Sequence, residues 1–205
     1  MAASQASCSW ATSSRTVGAE SLAAGRTRWA AELLHFWFHK LSPQDWFRPG
    51  SRVDNALRSR FERDLQALGN RPAGEFLTDP QSALAAVLLF DQIPRNLYRG
   101  TPGAFAYDGL ARAISDGARA RGWDRQLSRV ERQFLYMPLM HSEHIADQLE
   151  CLELFALLGR RFGMPFARSH YRMIARFGRF PHRNKVLGRR STPAEERAVK
   201  SGFAW

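Results

Sequence analysis

Three short segments bring ionisable, amide and aromatic side chains together: Asp91-Gln92-Ile93-Pro94-Arg95-Asn96, His141-Ser142-Glu143-His144, and Phe177-Gly178-Arg179-Phe180-Pro181-His182-Arg183-Asn184. A solvated surface does not need large apolar neighbours, so these segments read as the walls of a polar pocket. Asp91 and Arg95 are four residues apart and share a face if the helix continues. Arg95, Arg179 and Arg183 offer planar, two-pronged donors to a carboxylate or phosphate. His141 or His182 is placed to move a proton, with Glu143 to orient it. Asp91, Gln92, Asn96 and Asn184 complete the expected ligand contacts. The bland alternative stands beside this one: an Asp91–Arg95 brace at a kinked helix end, with Gln92 and Asn96 capping carbonyls that Pro94 releases.

A metal is not expected. His141, His144 and Asp147 have spacings that let them share a helical face, but no second helix supplies further ligands. No cofactor is expected either.

The elements that must position these residues are helices. Val53, Leu57, Phe61, Leu65 and Leu68 recur at spacings of three and four within 52–68. Leu33, Leu34, Phe36 and Trp37 mark a helix beginning near Trp29. Asp79-Pro80 pairs an N-cap with proline at the first helical position, opening a buried helix that should bend or end near Ile93. A helix over about 108–121 closes at Gly122. Ser128 to Glu131 and Thr192 to Glu195 are capping boxes. The first starts a helix expected to reach Tyr136 and meet Pro138. The next should run from about Ser142 to Leu158, with Ile145, Leu149, Leu152 and Ala156 inward. One more spans Phe166 to Phe177, on Phe166, His170, Tyr171, Ile174 and Phe177. No segment alternates at period two. The expected class is all-α, with stacked antiparallel helix pairs of the tetratricopeptide-like kind but no strict internal repeat.

Bulk composition narrows the partners. The chain has 205 residues, 44% hydrophobic and 12% aromatic, which is enough to bury a core. No apolar run approaches the roughly 20 residues of a membrane span. Cys8 and Cys151 are not an expected disulfide pair, and two cysteines suit a reducing, cytoplasmic location. Residues 1–28 are Ala- and Ser-rich without periodicity. They read as a disordered extension, a transit peptide or an over-extended start, preceding one domain over 29–205. Between Gly159 and Arg190 lie ten cations and no acid, so that stretch holds ten of the chain's net +11. Such a field attracts phosphates, carboxylates or nucleic acid. The interleaved rings have helical spacing and suit a core better than base stacking, which disfavours nucleic acid.

The phrases Asp91 to Thr101, Phe134 to Glu143, Ile145 to Gln148, Phe177 to Asn184 and the opening Leu33 to Phe38 resemble the domain-of-unknown-function family numbered 924, in the same order over about 29–203. The resemblance implies an all-helical fold related to tetratricopeptide repeats and supplies no reaction. The chain departs from the family pattern at His144 and in its Ser/Ala-rich extension. Three partners remain open: a small anion, either bound only or also transformed; an acidic peptide or protein on a non-enzymatic scaffold; and a second copy of the chain.

Overall fold

The structure, a computed structural model, describes residues 28–48 and 50–202. The expected extension and Cys8 therefore lie outside the described residues, apart from Arg28. Helix α1 spans 28–35 and ends in a wide π turn, Phe36–Lys40. It is followed by α2 (Pro43–Phe47), α3 (Ser51–Leu68), α4 (Pro80–Val87), α5 (Ile93–Leu97), α6 (Asp108–Ala120), α7 (Arg129–Met140), α8 (Ile145–Leu158), α9 (Met164–Phe177) and α10 (Pro193–Lys200). No strand occurs among the described residues, so the fold is all-α. No described helix is long and apolar enough to cross a membrane.

Local chemistry explains most helix starts. Asp79 accepts from the N–H groups of Gln81 and Ser82, and Pro80 needs no donor in the first turn. Ser128 and Thr192 form the expected capping boxes with Glu131 and Glu195. The core is built on Trp37, Phe61, Phe90, Phe134 and Phe155, all fully buried. Residues Val53, Leu57, Phe61 and Leu65 supply the inner face of α3 as their spacing requires. A smaller cluster of Met173, Ile174, Phe180 and Ala198 ties α9, the segment after it and α10 together.

Three local expectations are corrected. First, of the expected bend or end near Ile93, the end is overturned. A π turn over Leu88–Gln92 joins α4 to α5, with the Ile93 N–H bonded to the Leu88 carbonyl. The pairing register shifts before Pro94, which then sits in the first turn of α5 where no donor is missed. Second, α7 passes through Pro138 to Met140. Third, α8 begins at Ile145 and is rotated from the expected face, of which Leu152 alone packs against the core. Its buried residues are Asp147, Gln148, Cys151, Phe155 and Leu158, while Ile145, Leu149 and Ala156 are exposed. Phe166 on α9 is likewise exposed.

The cause of the α8 rotation is the end of α7. A helix leaves its last carbonyls without internal partners. Gln148 Nε2 donates to the carbonyls of Leu139, Met140 and Ser142 at 3.1, 2.8 and 2.7 Å. Asp147 accepts from Ser142 Oγ at 2.5 Å and from Arg112 Nη2 at 2.8 Å. Turning these two residues outward would strand buried carbonyls, which outweighs the apolar gain from Ile145 and Leu149. Replacing Gln148 by Leu is expected to cost about 1–3 kcal/mol in urea unfolding, the penalty for orphaned buried polar groups. Leu149→Gln, on the half-exposed face, should stay within about 0.5 kcal/mol.

Candidate functional site

Asp91 lies on the π turn between α4 and α5 and is wholly buried. Its carboxylate is met from three directions. His141, at the C-terminal end of α7, places Nδ1 2.7 Å from Oδ1. Gln92 Nε2 donates to Oδ2 at 2.5 Å. Arg95, one turn along α5, has Nη1 3.3 Å from Oδ1 and 2.6 Å from the Asp91 carbonyl. The same guanidinium donates to both oxygens of Asp108, at 2.9 and 3.1 Å. Asp108 opens α6. Arg183 closes the group from the segment after α9: Nη1 donates to Asp108 at 3.3 Å and Nη2 to the His141 carbonyl at 3.0 Å. Its plane is held between Phe105 and Phe180, 4.5 and 4.6 Å from the ring centres.

Electrostatics assigns the protons. Burial pushes the Asp91 carboxyl up, but Arg95, His141 and Gln92 outweigh it and hold it below the usual carboxylate range. Burial and then Arg95 push the His141 imidazole down, more than Asp91 raises it. At neutral pH Asp91 is charged and His141 neutral. The Nδ1–H of His141 then donates to Asp91, which leaves Nε2 able to accept a proton. The His141 side chain is 12% exposed, against none for Asp91. The buried His170 ring lies 6.2 Å from His141 and 5.4 Å from Phe180. Burial pushes His170 down to about 3, and His182 to about 4 with Arg183 adding to it. Burial also lowers Arg183 to about 10, helped by Arg95.

The expected residues do not form one pocket. Asp91, Gln92, Arg95, His141 and Arg183 come together. Glu143 does not orient His141; it accepts from the Phe180 N–H at 2.7 Å and pairs with Arg189 at 2.7 and 3.0 Å. Asp91 takes the orienting role instead. Arg179 forms a separate pair with Glu195 at 2.6 and 3.0 Å and donates to the Arg190 carbonyl. Asn184 is fully buried and donates to Ser191 Oγ at 3.1 Å. Asn96 donates to the Gln92 carbonyl at 3.0 Å, which is not one that Pro94 releases, and Gln92 turns to Asp91, so the expected capping of freed carbonyls is not what these amides do. His144 is exposed, while Asp147 is held by Ser142 and Arg112, so the possible His141, His144 and Asp147 set is not assembled. Among the described residues no group of three or more His, Cys, Asp or Glu could hold a metal ion. Cys151 is buried and free, its thiol pushed up to about 12 by burial.

Asp108, Arg189, Glu195, Phe105 and His170 are missing from the sequence-derived set. Asp108 had a faint signal, an acid in the first turn of a helix; its two arginine partners lie 13 and 75 residues away. A groove of about 770 Å³ between α1 and the starts of α4 and α7, lined by Phe38, Trp46, Asp79 and Glu131 among others, shares no residue with the Asp91 cluster. Its two carboxylates cap helices, so the cluster is the better site for proton chemistry.

A helical protein built around a buried Asp–His pair and interlocked arginines is the class defined here. The chain belongs to the family described as "Bacterial protein of unknown function (DUF924)", whose model matches residues 33–202. It is similar to a solved structure titled "Structure of Protein of Unknown Function ATU0120 from Agrobacterium tumefaciens", at 39% identity and a TM-score of 0.81, covering 86% of this chain and 99% of that one. No curated protein matches.

The three lowered histidines set a pH dependence. The unfolded chain takes up protons near 6.5 and the folded protein does not, so stability is full above 6.5 and falls as pH drops through the window toward 4 for His182 and 3 for His170. Each contributes up to about 1.4 kcal/mol per pH unit inside its window. Urea midpoints should decline from pH 7 to 5, before ordinary carboxylates protonate. His170→Phe should flatten the decline; an unchanged slope would refute the neutral buried histidine.

Proposed function

We propose that the protein is an acid–base catalyst for a small substrate carrying a carboxylate or phosphate. His141 transfers the proton through Nε2. Asp91 is the positioning residue that keeps Nδ1 protonated and the ring fixed. Arg183 contacts the substrate's anionic group. The observation that carries this reading is the 2.7 Å bond between a wholly buried, charged Asp91 and a His141 that reaches the surface. Arg183 supports its assigned role: its Nε has no hydrogen-bond partner although buried, and it holds Asp108 by one long contact where Arg95 uses two. A reducing, cytoplasmic setting accords with the free thiol of Cys151.

A second reading rests on a different observation. The two carboxylates Asp91 and Asp108 balance the guanidiniums of Arg95 and Arg183, and Arg179 is closed onto Glu195. Groups that satisfy one another in this way also suit a brace. The protein would then be a tetratricopeptide-like scaffold for an acidic peptide or protein.

The test is a panel of phosphorylated and carboxylated metabolites, read by thermal shift and by NMR detection of product. A ligand at 100 times its dissociation constant adds about 2.7 kcal/mol. His141→Asn keeps a donor for Asp91 but removes the base. It should retain the ligand's thermal shift and lose turnover roughly 100- to 10,000-fold. Arg183→Lys should lose the shift. Turnover unchanged in His141→Asn would refute His141 as the base; no metabolite recognised while an acidic peptide binds would favour the scaffold.

A further inference from the structure

Among the ten cations between Gly159 and Arg190, two sets of three arginines differ in the fold. Arg179, Arg183 and Arg189 point at carboxylates: Glu195, Asp108 and Glu143. Arg160, Arg168 and Arg172 do not. They line a cleft of about 220 Å³ beside the first turns of α9, floored by Met164 and Pro165, and no carboxylate contributes to its lining. All three arginines are exposed, and among the described residues none has an ion-pair partner.

We propose that this cleft is a binding site for the phosphate group of a small phosphate ester or diphosphate. Arg168 and Arg172 are four residues apart on α9, so their guanidiniums share a face and repel each other when nothing lies between them. Arg160 adds a third charge across the cleft. A phosphoryl group relieves that repulsion, because each guanidinium can meet two of its oxygens in one plane. The volume suits one such group with a short attached body. The first turn of α9 carries no acid that would oppose it. A nucleic-acid strand fits the place less well. Phe162 is buried under Arg161, and Phe177 lies under Arg176, 5.0 and 5.1 Å from the cation to the ring centre, which leaves Phe166 as the exposed ring of α9, where a strand stacks successive bases on several. The cleft shares no residue with the Asp91–His141 cluster, and this inference stands whether or not that cluster is catalytic.

Isothermal titration with inorganic phosphate and pyrophosphate, at matched ionic strength against sodium chloride, tests it. Pyrophosphate should bind saturably and more tightly than phosphate. Arg168→Gln and Arg172→Gln should each weaken it about tenfold, the loss of one charge-assisted contact. These side chains are exposed, so the fold survives their replacement, and circular dichroism checks that it does. Arg183→Lys, which should lose anion binding at the Asp91–His141 cluster, should bind pyrophosphate here unchanged, which separates the two sites. The inference is overturned by affinity equal in wild type and both variants, by heat that never saturates, or by a short oligoribonucleotide that binds with a steep salt dependence while pyrophosphate does not bind.

Discussion

A charged carboxylate with no exposure to water is the constraint on which the rest of the molecule turns. Burying an ion costs several kcal/mol unless its partners are close and well aimed. Asp91 meets that condition only because four parts of the chain converge on it. The π turn supplies Gln92, α5 supplies Arg95, the end of α7 supplies His141, and Arg95 is itself steadied by Asp108 at the start of α6. Arg183 then joins Asp108 to the His141 carbonyl and draws in the segment after α9. Each ion's desolvation is offset by a group that a different helix brings, so the cluster forms only when the helices are packed.

The same constraint sets the protonation state of the site. Buried and with Arg95 beside it, His141 gains little from a proton despite its bond to Asp91, and it stays neutral. His170 and His182 are kept neutral chiefly by burial. The interior therefore holds carboxylates and guanidiniums in balance and histidines as bases. Arg168, Arg172 and Arg176 stay exposed on α9, where water and counter-ions screen them.

Packing at the α7–α8 junction shows how backbone accounting can override apolar pattern. Ile145, Leu149, Leu152 and Ala156 make a regular stripe that by spacing alone belongs inside. Asp147 and Gln148 occupy the interior instead, where the Gln148 amide donates to the carbonyls of Leu139, Met140 and Ser142 at the end of α7. The amide of Gln148 provides three such bonds from one side chain. Leu149 remains half exposed, which is a small loss by comparison.

Helix starts, the all-α class and the faces of α1 and α3 were readable from residue order, since capping and 3.6-residue periodicity act over a few neighbours. So was the family, through its long motifs. The residues of the candidate site were readable as types: aspartate, histidine and arginine framed by aromatics. Their partnerships were not. Asp91 and His141 lie 50 residues apart, and Arg183 and Asp108 lie 75. Nothing local distinguishes an arginine that reaches a carboxylate across the fold from one that does not. Arg179, Arg183 and Arg168 look alike in the sequence. Tertiary structure alone gives Arg179 to Glu195, Arg183 to Asp108, and leaves Arg168 facing a cleft without a carboxylate, because ion pairing depends on distance in space and periodicity reports only the face of a helix.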